Sequence, residues 1–342
     1  MRPTIRDVAQ RAGVSIATVS RALRDSGSVR QDTRARVLAA AQQLNFTPSR
    51  LGRQLAERRH AANGIVFPDL SGPYYAEVVL GYEAVAAERE RSVLILSTAG
   101  RANAEAMVED LATRCDGMVV MGRTVPDAVV ERLAARGMPV VLLARPPIGE
   151  IDSVNSDNRT SAVELGRHVL EQGARRIVYV GDPGASPDVQ ERWTGLQDAV
   201  AETPSGEASV ELVTVSGFGE DTGAEVARRA LESRSEKDLP DAFVCANDEL
   251  ALGLMDTLRT AGVSVPDRVM VTGWDDVMAA RYAGLTTVRQ PMRALGGTAA
   301  RLLDELVTGA RTEPRHELLP TELVIRTSTA PSPAASHGRS AK

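Results

Sequence analysis

The chain has 342 residues, of which 43% are hydrophobic and 25% charged, with a formal net charge of −5. This length predicts two or three folding units that can bury a sizeable core and stay in solution. No apolar run reaches the ~18 residues of a membrane span, and the first four residues lack the apolar stretch of a signal peptide. Cys115 and Cys245 lie far apart, and we expect buried free thiols in a cytoplasmic protein.

The charge is distributed unevenly along the chain. Residues 1–60 contain twelve arginines and four acidic residues, a formal charge of +8, which leaves −13 for the rest of the chain. A basic head on an acidic body favours contact between the head and a polyanion. A solvated basic arm would have the same composition, so only the sequence motifs can distinguish it from a head that binds a polyanion.

Three short helices are predicted in the basic head. Thr4 can cap the first, and Gly13 can end it in the left-handed conformation. Ser15 can cap the second, from Ile16 to Leu23, and a third spans roughly Asp32 to Leu44. Apolar residues recur at helical spacing in all three: Ile5, Val8, Ala9, Ala12, Val19, Ala22, Leu23, Val37, Leu38, Ala41 and Leu44. Helices joined by a glycine turn in this way predict a helix-turn-helix unit.

The run from Thr4 to Leu23, TIRDVAQRAGVSIATVSRAL, resembles the DNA-binding signature of the LacI/GalR repressors. The run from Thr33 to Val37, followed by Ala41, Leu44 and Asn45, resembles it too. The resemblance implies a transcriptional regulator that binds double-stranded operator DNA, without a cofactor or metal.

The second helix would then enter the major groove, with Ile16, Ala17, Ser20 and Arg21 at the base edges. Arg21 can bind a guanine with two hydrogen bonds, whereas Ile16 and Ala17 suit thymine methyl groups. Residues that would fix the register by contacting phosphates or the nearby backbone are Thr4, Ile5, Arg6, Ser15, Thr18 and Thr33. For Arg6, Arg24 and Arg30, solvated surface is an equal alternative.

The segment after Pro48 corresponds to the hinge helix of the resembled family, which lies in the minor groove of the operator. Leu55 would be the wedge that kinks the duplex, with Leu51 beside it, although Leu55 could also be an ordinary linker residue. Ser49 and Gly52 stand where the family usually has asparagine and alanine. Glycine inside a helix costs ~1 kcal/mol relative to alanine, which favours a hinge helix that forms only on DNA.

From Gly64 onward, short apolar runs alternate with amphipathic helical stretches. Predicted strands are Gly64–Phe67, Ser92–Ser97, Gly117–Met121, Val140–Leu143, Ile177–Gly181, Leu212–Val215, Ala242–Ala246 and Val269–Gly273, and predicted helices are Tyr75–Glu90, Thr160–Glu171 and Glu249–Ala261. Alternation of this kind predicts parallel sheets covered by helices on both faces. The expected fold is therefore a small all-α helix-turn-helix domain plus an α/β two-lobed domain like the periplasmic binding proteins, with two doubly wound parallel sheets.

The resemblance continues to about residue 328, and it implies a small-molecule effector, a mono- or oligosaccharide, bound in the cleft between the lobes. Candidate effector contacts at strand ends are Asp69, Tyr74, Arg192, Phe218, Asn247, Trp274 and Asp275. Arg192 and Asp275 could instead form a structural pair or cap helices, and Phe218 and Trp274 could belong to the core. We expect Asp248 and Asp276 to cap the helices that follow them.

An enzyme is the weaker interpretation, because no phosphate loop, no G-x-S-x-G elbow and no H-E-x-x-H pair occurs. The adjacent acids Asp275 and Asp276 are unlike the separated pair of a glycosidase. We expect no catalytic residues and a repressor that a sugar releases from a palindromic operator. A regulator activated by a co-repressor, or a sugar-binding protein that does not bind DNA, is the alternative.

The expected domain order is a helix-turn-helix domain at 1–46, a hinge at 47–60, an effector-binding and dimerisation domain at 61–329 and a disordered tail at 330–342. Lobe 1 would take about 61–158 and 288–316, and lobe 2 about 159–287 and 317–329. The tail has no leucine heptad, so we expect a homodimer rather than a tetramer. Operator binding would place the protein at the nucleoid.

Overall fold

The structure is a computed structural model of the chain, and the residues it describes are 3–23, 29–46, 60–204, 206–233 and 236–330. The chain forms two compact units, residues 1–60 and residues 61–342. Each unit has its own core, as the break in sequence pattern near residue 60 predicts.

The first unit contains three helices, α1 (Ile5–Ala12), α2 (Ile16–Leu23) and α3 (Gln31–Gln43). Thr4 and Asp7 form the predicted cap at the start of α1, where Asp7 Oδ2 accepts from the Thr4 backbone nitrogen at 2.7 Å and from Thr4 Oγ1 at 2.8 Å. Gly13 ends α1 with φ 67°, in the left-handed region that favours glycine. A small core of valines and alanines holds the helices together: Val8, Ala9, Ala12, Val19, Ala22, Val37, Ala40 and Ala41.

The second unit begins with a lobe of parallel strands and covering helices. Its elements up to the first crossing are β1 (Ala62–Phe67), α4 (Pro73–Glu88), β2 (Ser92–Ser97), α5 (Ala104–Ala112), β3 (Gly117–Met121), α6 (Asp127–Ala135), β4 (Val140–Leu143) and β5 (Asp152–Ser156). Strands β1, β3 and β4 are fully buried because helices cover both faces of the sheet.

The chain then crosses into the second lobe. This lobe contains α7 (Asn158–Glu171), β6 (Arg176–Val180), α8 (Pro187–Ala201), β7 (Ser209–Val213), α9 (Glu220–Ser233), a short 3-10 turn at Glu236–Asp238, β8 (Ala242–Cys245), α10 (Asp248–Thr260), β9 (Met270–Thr272) and α11 (Met278–Ala283). Its sheet is parallel, with strand order β7-β6-β8-β9. The two cysteines are buried free thiols, as expected.

The last part of the chain returns to the first lobe and then crosses back to the second lobe. They are β10 (Thr287–Arg289), α12 (Met292–Thr308), β11 (His316–Leu319) and β12 (Glu322–Val324). Strand β11 pairs with β5 and completes a six-stranded parallel sheet of order β11-β5-β4-β3-β1-β2. The first lobe's sheet therefore runs to Leu319, three residues beyond the boundary at 316 that sequence reasoning gave. Strands β10 and β12 form a separate antiparallel pair.

Two helix pairs lie unusually close because glycines face a backbone. A Cβ built on Gly81 of α4 would come within 2.0 Å of the Arg293 carbonyl oxygen of α12. A Cβ on Gly253 of α10 would come within 1.9 Å of the Glu220 carbonyl oxygen of α9. Helix α8, which carries Arg192, is held against α7 in a similar way, since a Cβ on Gly195 would come within 2.6 Å of the Arg159 carbonyl oxygen.

Candidate DNA-reading face and ligand cleft

Helix α2 presents one face outward and buries the other. Ile16, Ala17 and Arg21 are exposed and Ser20 is half-buried, whereas Val19 is fully buried against α1 and α3. Ile16 is 45% exposed, although isoleucine is among the residue types most often buried. The four predicted base-reading residues therefore lie together on one accessible face.

The predicted phosphate-contacting residues surround the starts of the helices. Ser15 caps α2, since its Oγ accepts from the Thr18 backbone nitrogen at 3.1 Å and lies 2.9 Å from Thr18 Oγ1. Thr33 is half-buried near the start of α3, and Arg6 is exposed on α1. Ile5 packs against the small core, so its side chain has a structural role as well. Leu51 and Leu55, with Arg24, Ser49 and Gly52, lie outside the described residues.

Arg192 is the centre of the predicted cleft. It lies on α8 and is 6% exposed. Its Nε donates to Asn158 Oδ1 at 2.9 Å and its Nη1 donates to the Ala246 carbonyl oxygen at 2.7 Å. Asp188, one helical turn earlier, approaches its Nη2 at 3.9 Å. Arg192 thus ties together α7, α8 and the end of β8.

Trp274 covers this guanidinium. The Arg192 Cζ atom lies 4.6 Å from the centroid of the Trp274 ring, a cation–π contact. Trp274 is 1% exposed and belongs to the core of the second lobe, yet its Nε1 has no hydrogen-bond partner among the described residues. Sequence reasoning left Trp274 between core and site, and the structure places it in the core, in contact with Arg192.

Asp275 lies beside this pair in an uncommon backbone conformation. Its φ is 112°, and it is 5% exposed. Its Oδ1 accepts from Gln290 Nε2 at 2.7 Å. Burial raises the pKa of the Asp275 carboxyl to about 7, and the charge of Arg192 and the Gln290 hydrogen bond oppose that rise.

Tyr74, at the start of α4, brings the first lobe to the same cluster. Its hydroxyl is buried and has no hydrogen-bond partner in the described part of the chain. Burial raises the pKa of Tyr74 well above its ordinary value, and the charges of Asp188 and Asp275 raise it further. Tyr74, Arg192, Trp274 and Asp275 therefore lie in one electrostatic environment.

The other three predicted ligand contacts are occupied by local structure. Asn247 caps α10, with its Oδ1 accepting from the Leu250 backbone nitrogen at 3.1 Å and its Nδ2 donating to the Phe218 carbonyl oxygen at 2.9 Å. The exposed Asp69 accepts from Ser71 Oγ at 2.6 Å and closes its own turn. Phe218 is half-buried against the core of the second lobe.

Sequence reasoning was wrong about the two following aspartates. Asn247, rather than Asp248, caps α10. The buried Asp248 accepts from the Thr287 hydroxyl at 2.6 Å and from the Val277 backbone nitrogen at 2.8 Å, so it joins three segments of the second lobe. Asp276 accepts from Arg289 Nε at 2.8 Å and Arg326 Nη2 at 2.6 Å, two ion pairs that its position before a helix did not indicate.

Three further residues belong to the cluster and were not among the predicted contacts. Asp188, Asn158 and Gln290 contact Arg192 or Asp275 directly. Asp188 could have been found from its spacing, because residues four apart share one face of a helix. Asn158 falls in the predicted crossing between the lobes, where ligand contact was an open alternative, and nothing in the local pattern around Gln290 pointed to Asp275.

The two lobes touch at the rim of the cleft. Arg123, after β3, donates from Nη1 to the Gly184 carbonyl oxygen, after β6, at 2.7 Å. On the other side, a Cβ on Gly72 would come within 2.7 Å of Glu249 Oε2. A surface cavity of about 270 Å³ lies next to Asp275 and Gln290, but it is lined by Glu77, Arg289 and Arg293 rather than by Tyr74, Arg192 or Trp274. The contacts at the rim place the cluster between the two lobes, where a small molecule could be held.

Within the described residues, no helix is both long and apolar enough to cross a membrane. The same residues contain no group of three or more His, Cys, Asp or Glu side chains that could hold a metal ion.

Comparison with known proteins matches both units. Residues 4–49 match the family described as bacterial regulatory proteins, lacI family, and residues 167–329 match the periplasmic binding protein-like domain. The transcriptional regulator GalR of Salmonella typhimurium is 35% identical over 306 residues, which cover 87% of this chain and 88% of GalR. The transcriptional repressor CytR of Escherichia coli is 30% identical over 333 residues, covering 95% and 96%.

Solved structures agree over nearly the whole chain. The lac repressor dimer bound to operator and the anti-inducer ONPF superposes with a TM-score of 0.84 at 26% identity, covering 96% of this chain and 99% of that one. The CelR–cellobiose complex gives a TM-score of 0.69 at 29% identity, covering 96% and 100%.

A helix-turn-helix unit with an exposed reading face, joined to a two-lobed sensing unit, defines a DNA-binding transcriptional regulator. The chain belongs to the LacI family of bacterial regulatory proteins. The resemblance and the fold class expected from the sequence are both confirmed.

Proposed function

We propose that this regulator is a repressor that binds a palindromic operator as a homodimer and leaves it when a small polyol, a sugar, binds between the lobes. The observation that carries the proposal is the buried cluster of Tyr74, Arg192, Trp274 and Asp275, because it converges on one cleft and retains hydrogen-bonding capacity. Aromatic faces and a few polar groups are the usual equipment of a sugar site. Among the relatives are a ribose operon repressor and structures with bound cellobiose or ribose.

The exposed face of α2 would read the operator. Arg21 would bind a guanine, Ile16 and Ala17 would contact thymine methyl groups, and Ser20 would contact a base edge. Thr4, Ile5, Arg6, Ser15, Thr18 and Thr33 would fix the register on the backbone. The hinge leucines Leu51 and Leu55 would enter the minor groove at the centre of the site.

We propose the same division of labour along the chain: DNA binding by 1–46, a hinge at 47–60, effector binding and dimerisation by 61–329, and a tail at 330–342 without a role in either. The relatives are regulators rather than enzymes. In keeping with this, we propose that the cleft binds without catalysis, and that the protein works in the cytoplasm at the nucleoid.

Release would follow from the movement of the lobes. A ligand that draws Tyr74 of the first lobe toward Arg192 and Asp275 of the second changes the angle between the lobes. In a dimer, that change alters the spacing of the two hinge segments and therefore the population of the DNA-bound arrangement. The ligand acts as an inducer if it binds the DNA-free arrangement more tightly, and as a co-repressor if the preference is reversed.

The test is a selection of random duplex DNA by the full-length protein, repeated with a panel of mono- and oligosaccharides. Enrichment of a two-fold symmetric site that one sugar weakens supports the proposal. A ligand that strengthens binding makes the protein a co-repressor system. If no symmetric site is enriched at moderate salt, the first unit is not a specific reader and the proposal fails.

A further inference from the structure

Among the described residues, the cleft contains more buried carboxylates than buried cations. Arg192 gives its two shortest hydrogen bonds to neutral acceptors, the Asn158 amide and the Ala246 carbonyl oxygen. Its closest carboxylate is Asp188, at a distance of 3.9 Å. Asp275 accepts from Gln290, a neutral donor. One guanidinium therefore serves two buried carboxylates and is directly bonded to neither at hydrogen-bond length.

The hydrogen-bonding capacity next to Asp275 shows the same imbalance. Gln290 uses its Nε2 to donate to Asp275, which leaves its Oε1 to accept from another donor. This Oε1 is an acceptor in a side chain that is 3% exposed, and it has no partner among the described residues. The Asp275–Gln290 pair therefore retains an acceptor that no donor among the described residues satisfies.

The remaining charged groups around the cluster do not correct this imbalance. Glu249 and Asp69 add negative charge, and Arg123 donates at the rim to the Gly184 carbonyl oxygen. Burial raises the pKa of Asp188, Asp275 and Glu249, which is the response expected of carboxylates whose charge is poorly compensated. The unpartnered Tyr74 hydroxyl and Trp274 Nε1 are donors, suited to the hydroxyl oxygens of a polyol.

We infer that the effector of this regulator carries a protonated amine beside its hydroxyls, as in an amino sugar, with the ammonium against Asp275 and Gln290 and within the field of Asp188. The inference rests on the proposed function, since it names the effector class of the same cleft. A protonated amine supplies the missing donors and the missing charge at once. Sugar phosphates and sugar acids bring a second negative charge and are repelled.

The first test compares matched ligands on the full-length protein by calorimetry at pH 7.5. The pairs are glucose with glucosamine, galactose with galactosamine and mannose with mannosamine, and glucose 6-phosphate serves as the anionic member. We expect an amine member to bind at least about tenfold more tightly than its neutral partner. Asp275→Asn, which removes the carboxylate against the ammonium, should abolish this preference, and Asp188→Asn should reduce it. Asp198→Asn, on the same helix in an exposed pair with Arg159, removes the same charge and should keep it.

A second measurement needs no ligand and protects the inference from a poorly folded variant. If Asp188 is an undercompensated carboxylate, Asp188→Asn raises the melting temperature of the free protein at pH 7.5 by about 2 °C or more. If Asp188 is instead the structural counter-ion of Arg192, the same change lowers the melting temperature and overturns the inference.

Tighter binding of a neutral or phosphorylated sugar than of every amine also overturns the inference, as does the absence of binding by all three amines. These failures are separate from failure of the proposed function. Release of the operator by a neutral sugar would support the proposed repressor function and refute only the inference that the effector carries an amine. Absence of a selected operator would refute the repressor whatever the cleft binds.

Discussion

The two units of this protein place their candidate functional residues in opposite ways. In the first unit, Ile16, Ala17 and Arg21 project from the surface of one short helix, while the valines on its other face form the core. In the second unit, Arg192, Trp274 and Asp275 are among the most buried polar and aromatic side chains. A surface that reads DNA has to be accessible before its partner arrives, whereas a cleft that senses a small molecule gains strength from the exclusion of water.

This difference leads to unequal consequences of mutation. A change on the reading face should alter recognition and leave stability unaffected. A change in the cleft should alter recognition and stability together, because the same hydrogen bonds serve both.

Arg192→Lys should cost the second unit on the order of 3–5 kcal/mol of unfolding free energy, because it breaks the bonds to Asn158 and Ala246 inside a buried charged network. Chemical denaturation followed by Trp fluorescence measures the loss. Arg159→Lys, in an exposed pair with Asp198, is the matched control and should change stability by less than about 1 kcal/mol. Equal stabilities for the two variants would show that Arg192 is not the centre of the cleft.

The stability of the second unit should fall as pH rises from 5 to 8. The pKa of Asp275 is about 7 in the folded protein and 3.8 when unperturbed, so the folded state binds more protons than the unfolded state in this interval. The difference corresponds to about 2–3 kcal/mol between pH 5 and pH 8. Asp188, Asp248 and Glu249 have raised pKa values and act in the same direction.

Asp275→Asn should remove that part of the pH dependence. Unfolding free energies of the wild type and the variant are compared at pH 5 and pH 8. Burial lowers the pKa of His168, so this residue makes the stability rise with pH at pH values below its ordinary pKa of 6.5. His168 is present in both proteins, and its contribution therefore cancels when they are compared. A wild-type profile parallel to that of the variant would contradict the raised pKa of Asp275.

Arg21→Ala should weaken binding to the selected operator by about 1–3 kcal/mol and relax specificity at one base pair, with little change in stability. Arg11→Ala is the control, because Arg11 donates to Gln43 on α3 at 2.8 Å and is not on the reading face. Equilibrium binding to the operator and to single-base variants gives both quantities. A uniform loss over all sequences would make Arg21 a phosphate contact.

Thr4→Ala should destabilise the first unit by about 1 kcal/mol, because it removes the Thr4 hydroxyl from the cap that Thr4 forms with Asp7. Helical circular dichroism during thermal unfolding reports the change. Thr113→Ala, where the hydroxyl donates at the end of α5 in the second unit, should leave the first unit's transition in place.

Sequence reasoning reached further in the first unit than in the second. The helix bounds near Thr4, Gly13, Ser15 and Leu23 follow from capping chemistry and apolar spacing, which are local. Strand β4, at Val140–Leu143, was also predicted at its observed bounds, because a buried parallel strand is a continuous apolar run. Strands β5, β10, β11 and β12 were missed, since each has only three to five residues and mixed polarity.

Sequence reasoning predicted which residues would line the cleft, but not the hydrogen bonds that these residues form. Arg192, Asp275 and Trp274 do come together, but their partners Asn158, Ala246 and Gln290 lie between 15 and 54 residues away along the chain. Asn247 was expected to contact the ligand, and the structure shows that it also caps a helix, because an asparagine between a strand and a helix suits either role. Only the sheet topology chooses between such roles.

The central claim is that one buried cluster in the second unit controls operator affinity in the first. The most direct test is titration of the selected operator with full-length wild type and with Arg192→Lys, each with and without the ligand identified in the selection. The account predicts that the ligand weakens operator binding by wild type at least about tenfold. It also predicts that Arg192→Lys binds the operator with the same affinity whether or not the ligand is present. An equal ligand effect on both proteins would contradict the claim.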